Sequence, residues 1–142
     1  MTESSNPSEA AAVITETETP ASWDGLGLSD DLRKLIDAAG FEKPTPVQMK
    51  AIPFGMDRRD LLVSAQTGTG KTAAFCFPMI ERFRTREGPY GLVLAPSREI
   101  ALQTQVVLKQ FGEPLGVRSA ALIGGIDIRH DEIALKNYPQ II

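Results

Sequence analysis

Apolar residues recur along the first part of the chain at the spacing of one helix face. Between Ser29 and Gly40 they fall three or four positions apart, which predicts an amphipathic helix. Serine suits the capping position before a helix and glycine the position after it, so these residues mark its two ends. A second short helix is predicted to begin at Thr45, because Pro46 has the fixed backbone angle that suits a first helical turn.

Further along, short apolar runs that suit buried strands alternate with helical stretches. Helices are predicted over 70–84, from Ser97 onward and over 128–136, with Pro78 expected to kink or restart the first of them. Alternating strands and helices imply right-handed βαβ units, and hence an α/β fold with a parallel sheet and helices on both faces. The predicted strands are Leu61–Ala65, Tyr90–Ala95, Val117–Ile123 and Gln140–Ile142.

The two ends of the chain differ in kind from its middle. Residues 1–22 carry four glutamates, no lysine or arginine and no periodic apolar face, which predicts a disordered acidic tail. The last predicted strand begins where the sequence stops, and a sheet truncated there would leave an unpaired edge. We therefore expect residues 23–142 to form an incomplete domain, the amino-terminal piece of a larger protein.

Composition narrows the functional classes. The 142 residues suffice for one domain, and the net charge of -3 gives no compositional signal for nucleic acid. Cys76 is the only cysteine, so an internal disulfide is excluded and a buried packing thiol is expected. His130, the only histidine, has no partner for zinc. The sequence shows no secretory leader and no bilayer-spanning run, so we expect an intracellular, soluble protein with no membrane partner, cytoplasmic rather than nuclear.

The most informative motif lies between the first predicted strand and the helix that follows it. Strand, glycine-rich loop and helix form the context in which such a motif binds phosphates, since backbone N–H groups and the positive helix end meet a polyphosphate. An ordinary glycine turn is the alternative, and the Gly-Lys-Thr ending disfavours it. The motif, typical of a nucleotide-binding P-loop, consists of Ala65, Gln66, Thr67, Gly68, Thr69, Gly70, Lys71 and Thr72.

Four residues of this loop have distinct chemical roles. Gly68 and Gly70 allow left-handed backbone angles and a close approach to phosphates. Lys71 can place its ammonium against the terminal phosphates, and the Thr72 hydroxyl can reach a magnesium ion. The loop therefore predicts a site for a nucleoside triphosphate with magnesium.

A second constellation, Gly40–Gln48, precedes the P-loop. From local chemistry it is a helix end, a proline-stiffened link and a new helix start. Thr45 and Gln48 have capping-box spacing, in which the glutamine side chain returns to the backbone of the capping residue. For the segment taken alone, this structural interpretation is the favoured one.

Together with the P-loop, this segment resembles the Q motif of the DEAD-box RNA helicase family. Trp23 resembles the family's upstream aromatic residue, where phenylalanine is commoner, and Ala95–Ile100 resembles motif Ia, with serine at 97 where threonine is commoner. Gly124-Gly125 resembles the family's double glycine, so the resemblance covers residues 23–142. The Thr-Pro-Gly-Arg, Asp-Glu-Ala-Asp and Ser-Ala-Thr motifs and the second RecA-like domain are missing. Asp131-Glu132 is a candidate substitute for the missing acidic motif, but it is better explained as a solvated helix start.

The resemblance implies a RecA-like fold and roles for several side chains. Gln48 would read the adenine edge through its amide, and Phe41 would stack on the adenine face. Lys71 and Thr72 would be the catalytic residues, with ATP and magnesium as cofactors. Sequence-independent contact with the RNA backbone would come from Pro96, Ser97, Arg98, Gly124 and Gly125. A local surface ion pair with Glu99 or a neighbouring residue is the alternative role for Arg98.

The activity implied for the intact protein is ATP-dependent RNA unwinding or remodelling, so that protein would be an RNA-dependent ATPase and a hydrolase. The chain alone is expected to be inactive, because it contains neither the acidic metal-binding motif nor the arginines of a second domain. Two alternatives stay open: another P-loop NTPase, such as a nucleotide kinase, or a non-enzymatic short form that binds ATP or RNA. A kinase would place its P-loop near the amino terminus and lack the segment that precedes it here.

Overall fold

The computed structural model describes residues 21–86 and 91–142. The predicted tail over 1–22 lies almost entirely outside the described residues, and so does Tyr90 of the second predicted strand. No helix in the described part is both long and apolar enough to cross a membrane. The helices are α1 (Asp30–Ala38), α2 (Pro46–Met56), α3 (Lys71–Phe83), α4 (Arg98–Gly112) and α5 (Ile128–Lys136), with a 3-10 turn at Glu113–Leu115.

The predicted helix ends are confirmed by their hydrogen bonds. The Ser29 hydroxyl accepts from the Leu32 N–H at 3.4 Å, and the Ser97 hydroxyl accepts from the Ile100 N–H at 3.3 Å. Gly40 follows α1 with φ +82°, the left-handed angle that lets a chain leave a helix. Each cap uses groups only a few residues apart, which is why the sequence pattern suffices to locate these ends.

Helix α3 runs through Pro78 without interruption, so the expectation that the proline restarts the helix is wrong. The Pro78 ring is buried against α2, where a Cβ added at Gly55 would lie 2.9 Å from its Cγ. Proline removes one backbone N–H but keeps a φ that a helix accepts. Close packing on α2 therefore compensates for the missing hydrogen bond within α3.

The strand segments form a minimal parallel sheet around Ile141. This residue pairs in parallel with Gly91 on one side and with Ser119 on the other. The Ile142 N–H donates to the Gly91 carbonyl at 2.9 Å, and the Ala120 N–H donates to the Ile141 carbonyl at 3.0 Å. The predicted parallel direction is confirmed, and the last segment of the chain lies between the other two.

The prediction of a strand at Leu61–Ala65 is wrong for the described residues, among which this segment has no pairing partner. Leu62 is 98% exposed. A cavity of about 840 Å³ is lined both by Leu61 and by Val93 of the sheet, so the two segments border a common space instead of pairing. A strand needs a hydrogen-bonding neighbour, and no described segment reaches this one.

The core between α1, α3 and α4 is rich in aromatic rings. Phe77 of α3 is 1% exposed and meets Phe111 of α4 edge to face, with ring centroids 5.0 Å apart at 75°. Trp23, from the segment before α1, packs against Phe77 with centroids 6.0 Å apart. Cys76 is fully buried in the same cluster, as expected, and burial raises the pKa of its thiol to about 12.

A polar cluster joins the start of α1 to the end of α3. The Ser29 N–H and hydroxyl donate to Glu81 Oε1 at 2.9 and 2.6 Å. Arg84 donates to the Ser29 hydroxyl at 2.7 Å and pairs with Asp31 at 3.0 Å. These bonds fix the segment that precedes the P-loop to the helix that follows it.

Candidate nucleotide and RNA site

The P-loop ends at the amino terminus of α3. Gly70, immediately before the helix, has φ +88° and Gly68 has φ +81°, so both use the left-handed region that the sequence predicts for them. The Thr69 hydroxyl donates to the Gln66 carbonyl at 2.8 Å, which closes the loop into a tight turn. The first N–H groups of α3 have no partner within the helix and can donate to an anion.

The Lys71 ammonium lies over the beginning of the same loop. Its Nζ donates to the Gln66 carbonyl at 2.7 Å and also to the Ala65 carbonyl. An ammonium has three donors, so one hydrogen remains for a phosphate oxygen while these two bonds hold the side chain. Lys71 thus adds a positive charge to the helix end, and both favour an anion.

Gln48 is 2% exposed and links α2 to the P-loop. Its Oε1 accepts from the Thr45 N–H at 2.9 Å, and its backbone N–H donates to the Thr45 hydroxyl at 3.4 Å, which confirms the predicted capping box. Its Nε2 donates to the Gly70 carbonyl at 3.2 Å. Spacing in the sequence reveals the cap, but no local pattern predicts this second contact, which spans 22 positions.

The contact with Gln48 explains why position 70 has no side chain. A Cβ added at Gly70 would lie 2.4 Å from Gln48 Nε2, closer than non-bonded atoms approach. A Cβ added at Gly68 would meet nothing within 4 Å. The segment predicted to read the base and the loop predicted to bind phosphates are therefore in direct contact.

Phe41 lies between α1 and α2 with 42% of its surface exposed. Its ring centroid is 6.0 Å from that of Phe111, at an angle of 59°. The Phe41 carbonyl accepts a hydrogen bond from Trp23 Nε1 at 2.8 Å. From the sequence, only the aromatic face of Trp23 is expected to matter. The signal that could have revealed more is the indole N–H, a donor that phenylalanine lacks.

The cavity of about 840 Å³ borders the P-loop but not the residues predicted to bind the base. Gly68, Lys71 and Thr72 line it, whereas Phe41 and Gln48 do not. Its other walls come from the strand segments, from α3 and α4, and from Ala51 of α2. The P-loop therefore borders this cavity and also contacts Gln48, a side chain that does not line it.

Arg98 brings together the two loops predicted to face RNA. Its guanidinium lies against Gly125, where an added Cβ would be 2.7 Å from Nη2, and Gly124 is adjacent. Gly125 has φ +85°, so its backbone turns beneath the arginine in the left-handed region. Among the described residues Arg98 forms no ion pair with Glu99, so the alternative role is not observed. A cation and a glycine turn thus share one surface.

The other two residues predicted to contact RNA, Pro96 and Ser97, precede α4 and are exposed. The Ser97 hydroxyl accepts from the Ile100 N–H, which uses one of its lone pairs. Its own hydrogen and the second lone pair are still available. Ser97 can therefore cap the helix and donate to a phosphate oxygen at the same time.

The described residues supply few candidate metal ligands. Within 21–86 and 91–142, no group of three His, Cys, Asp or Glu side chains is arranged to hold a metal ion. Asp131 and Glu132 lie in α5, in agreement with a helix start rather than a metal motif. The Thr72 hydroxyl, at the start of α3, fits a magnesium site whose remaining ligands are phosphate oxygens and water.

The order of these features corresponds to that of a known family. Residues 45–142 match the family model described as DEAD/DEAH box helicase. The chain belongs to the DEAD/DEAH box helicase family. The matched stretch of this helicase chain contains the capping box, the P-loop and both exposed loops, which confirms the resemblance that the sequence motifs indicate.

Known helicases are similar to this DEAD-box chain over most of its length. The pre-mRNA-splicing ATP-dependent RNA helicase prp28 of Emericella nidulans is 42% identical over 132 residues, which cover 85% of this chain and 17% of that protein. A DEAD box protein from Methanococcus jannaschii superimposes with a TM-score of 0.80 at 34% identity, over 86% of this chain and 34% of that one. Dbp5 of S. cerevisiae, solved bound to RNA and ADP BeF3, gives a TM-score of 0.69 at 33% identity, over 86% and 31%.

These similarities confirm the predicted RecA-like α/β class for the DEAD-box chain. Within the described residues, however, its sheet consists of isolated parallel pairings. The chain spans 16% to 31% of the lengths of the curated relatives that it matches.

Proposed function

We propose that this chain is the ATP-binding and RNA-binding amino-terminal portion of a DEAD-box RNA helicase, with residues 23–142 belonging to its first RecA-like domain. The intact protein would use ATP hydrolysis to unwind or remodel RNA. The observation that carries the proposal is the P-loop, with Lys71 over its carbonyls and Gln48 against Gly70. The similarity to Dbp5, which was solved with RNA and ADP BeF3, supports both ligands.

Lys71 and Thr72 are the catalytic residues that this chain would contribute. Lys71 places positive charge where phosphoryl transfer develops negative charge. Thr72 would hold magnesium together with phosphate oxygens and water, and the bound ion would neutralise part of the phosphate charge. Hydrolysis also needs a completed metal site and an oriented water, and the 142 residues contain no Asp-Glu-Ala-Asp motif whose carboxylates would provide them. We therefore expect this chain alone to release phosphate no faster than its Lys71→Ala variant.

Gln48 can read adenine without giving up its structural bonds. Its Oε1 accepts from Thr45 and its Nε2 donates to Gly70, which uses one lone pair and one hydrogen. An amide has a second of each, so the same side chain can accept from the exocyclic amine of adenine and donate to a ring nitrogen. Phe41, with its partly exposed ring, would stack on the base.

RNA would bind through its backbone at the exposed surface formed by Arg98 and the double glycine. A guanidinium, a hydroxyl and free backbone N–H groups suit phosphate oxygens and carry no base information. Pro96 and Ser97 extend this surface to the start of α4. We also propose that the protein is intracellular and located in the cytoplasm rather than the nucleus, although the prp28 relative is named for pre-mRNA splicing.

Calorimetric titration with ATP tests the phosphate site. The Lys71→Ala change removes one charge-assisted contact, and we expect roughly ten- to a hundredfold weaker binding. Lys34→Ala is the matched control, because it removes the same side chain from an exposed position on α1. If all three proteins are folded and bind ATP equally, the nucleotide-site assignment is wrong.

Base choice is tested with Gln48→Glu, which separates reading from capping. Glutamate can still accept from the Thr45 N–H, so the capping box is retained, but its carboxylate can donate neither to adenine nor to the Gly70 carbonyl. We expect ATP to outcompete GTP in the wild type and the preference to disappear in the variant. Gln48→Ala should also lose about 1–2 kcal/mol of unfolding free energy, because it removes two buried hydrogen bonds. If both variants keep the preference for ATP, the role of Gln48 is limited to its structural bonds with Thr45 and Gly70.

A further inference from the structure

Trp23 makes one directional contact in addition to its packing. Its indole Nε1–H donates to the Phe41 carbonyl across 18 positions of sequence, at 2.8 Å. The side chain is 5% exposed, and its ring packs against Phe77 of α3. The donor therefore belongs to a ring whose orientation the core already fixes.

The backbone of Phe41 is held on both sides. Its N–H donates to the Ile36 carbonyl at 3.2 Å, which continues the end of α1, and its carbonyl accepts from Trp23. Its ring lies 6.0 Å from Phe111 at the centroids. Three contacts therefore hold Phe41: one at its backbone N–H, one at its carbonyl and one at its ring, and together they give the exposed part of the ring a defined direction. The contacts with Ile36 and Phe111 come from α1 and α4, whereas the hydrogen bond from Trp23 comes from the segment before α1.

We propose that Trp23 is a positioning residue for base binding: its indole N–H orients Phe41 so that the ring is ready to stack on the nucleobase. The inference rests on the proposed nucleotide site. Stacking on a preset ring avoids the entropy cost of ordering the ring on binding. A phenylalanine at position 23 could fill the same space against Phe77 but could not donate to the carbonyl.

The test separates the base from the phosphates. ATP and inorganic tripolyphosphate are titrated by calorimetry into the wild-type chain, Trp23→Phe and the control Ser22→Ala. Ser22→Ala removes the two exposed hydrogen bonds that the neighbouring Ser22 hydroxyl makes with Asp24, and it leaves the indole intact. We expect Trp23→Phe to weaken ATP roughly two- to tenfold, the range for one hydrogen bond, with tripolyphosphate affinity unchanged. Ser22→Ala should bind both ligands as the wild type does.

A second variant removes the donor without changing the size of the ring system. Replacing Trp23 with benzothienylalanine puts sulfur in the place of the N–H, so it should reproduce the ATP loss even if Trp23→Phe folds poorly. Since Trp23 is the only tryptophan, its indole proton gives a single resonance, whose slow exchange with solvent would report the bond directly.

The outcomes distinguish this inference from the proposed function. If the wild type binds ATP better than Lys71→Ala but both Trp23 variants bind ATP as the wild type does, the positioning role is wrong. Equal losses for ATP and tripolyphosphate would show that Trp23 only supports the fold, which also overturns the inference. If the wild type and Lys71→Ala bind ATP equally, the nucleotide site itself fails and the positioning role fails with it.

Discussion

The two sides of the P-loop differ in how completely their apolar side chains are packed. On the helix side, Phe77 and Phe111 are almost fully buried. On the strand side, Leu62 is almost fully exposed and Leu94 is nearly as open. Both sides are apolar in sequence, so hydrophobicity alone does not decide burial in this chain. The presence of a packing partner decides it.

The difference follows from what each kind of element needs. A helix satisfies its backbone internally, and α3 then packs on α2 and α4, which the described chain supplies. A strand satisfies its backbone only through another strand. Segment 61–65 has no such neighbour among the described residues, and its Leu61 and Leu62 side chains are exposed. Backbone hydrogen bonding and side-chain packing are thus more complete on the helix side of the P-loop than on the strand side.

The comparison is tested most strongly by truncating one apolar side chain on each side. Phe77→Ala removes a ring from the centre of the aromatic core, and we expect it to cost about 3–5 kcal/mol of unfolding free energy. Leu62→Ala, on the strand side, should change stability by less than about 0.5 kcal/mol. Urea unfolding followed by circular dichroism measures both. Similar losses for the two variants would mean that 61–65 is packed in solution.

The buried thiol of Cys76 sharpens the comparison through pH. Burial raises its pKa from 9.0 to about 12, so above pH 9 the unfolded chain loses this proton while the folded chain keeps it. The contribution to stability is complete below pH 9, and it is lost at about 1.4 kcal/mol per pH unit above that value.

Between about pH 8 and about pH 10, the unfolding free energy measured with urea should therefore fall further for the wild type than for Cys76→Ala, by about 1.4 kcal/mol. Other groups that titrate in this range are common to both proteins and cancel in the difference. Equal pH dependence would show that the helix side opens readily to water.

Ser29→Ala should cost less unfolding free energy than Phe77→Ala, about 1–2 kcal/mol, because it removes a helix cap and the hydroxyl that joins Glu81 to Arg84. Ser97→Ala is the matched comparison. The Ser97 hydroxyl also caps a helix, but it lies at an exposed position and the cap is the contact that the structure shows for it. Thermal unfolding should place Ser29→Ala below Ser97→Ala. The reverse order would show that the polar cluster contributes nothing beyond capping.

The smallest effect on stability is expected from charges on the strand side. Replacing Leu62 and Leu94 with lysine should leave the unfolding free energy within about 0.5 kcal/mol, because both side chains are exposed. Exposed apolar strand residues favour association between chains, and lysine opposes it. Sedimentation velocity at increasing concentration should show more monomer for the double variant. A marked loss of stability would contradict the exposure of these residues.

Features that depend on near neighbours could be predicted from the sequence. The Ser29 and Ser97 caps, the Thr45–Gln48 capping box and the glycine angles of the P-loop each involve groups within four positions of one another. The parallel direction of the sheet could also be predicted, because a chain of alternating strands and helices has few other possible topologies.

Features that depend on distant partners could not be predicted in this way. The Leu61–Ala65 run has the composition of a strand, but pairing depends on a neighbour that no local pattern reveals. Pro78 continues its helix because Gly55 leaves room for the ring on another helix. The Gln48–Gly70 bond likewise joins residues far apart in sequence. In each case the deciding interaction lies outside the window in which a pattern can be recognised.

The contact between Gln48 and Gly70 also limits how this helicase can vary. At Gly68, alanine would face only the cost of a left-handed angle, about 1–2 kcal/mol, since nothing lies within 4 Å of its Cβ. At Gly70 the same substitution would also displace the Gln48 amide, and with it the cap of α2. In a library of random variants selected for folding, replacements of Gly70 should therefore be found mainly together with a shorter side chain at position 48. Substitutions in the P-loop and in the capping box should thus be correlated.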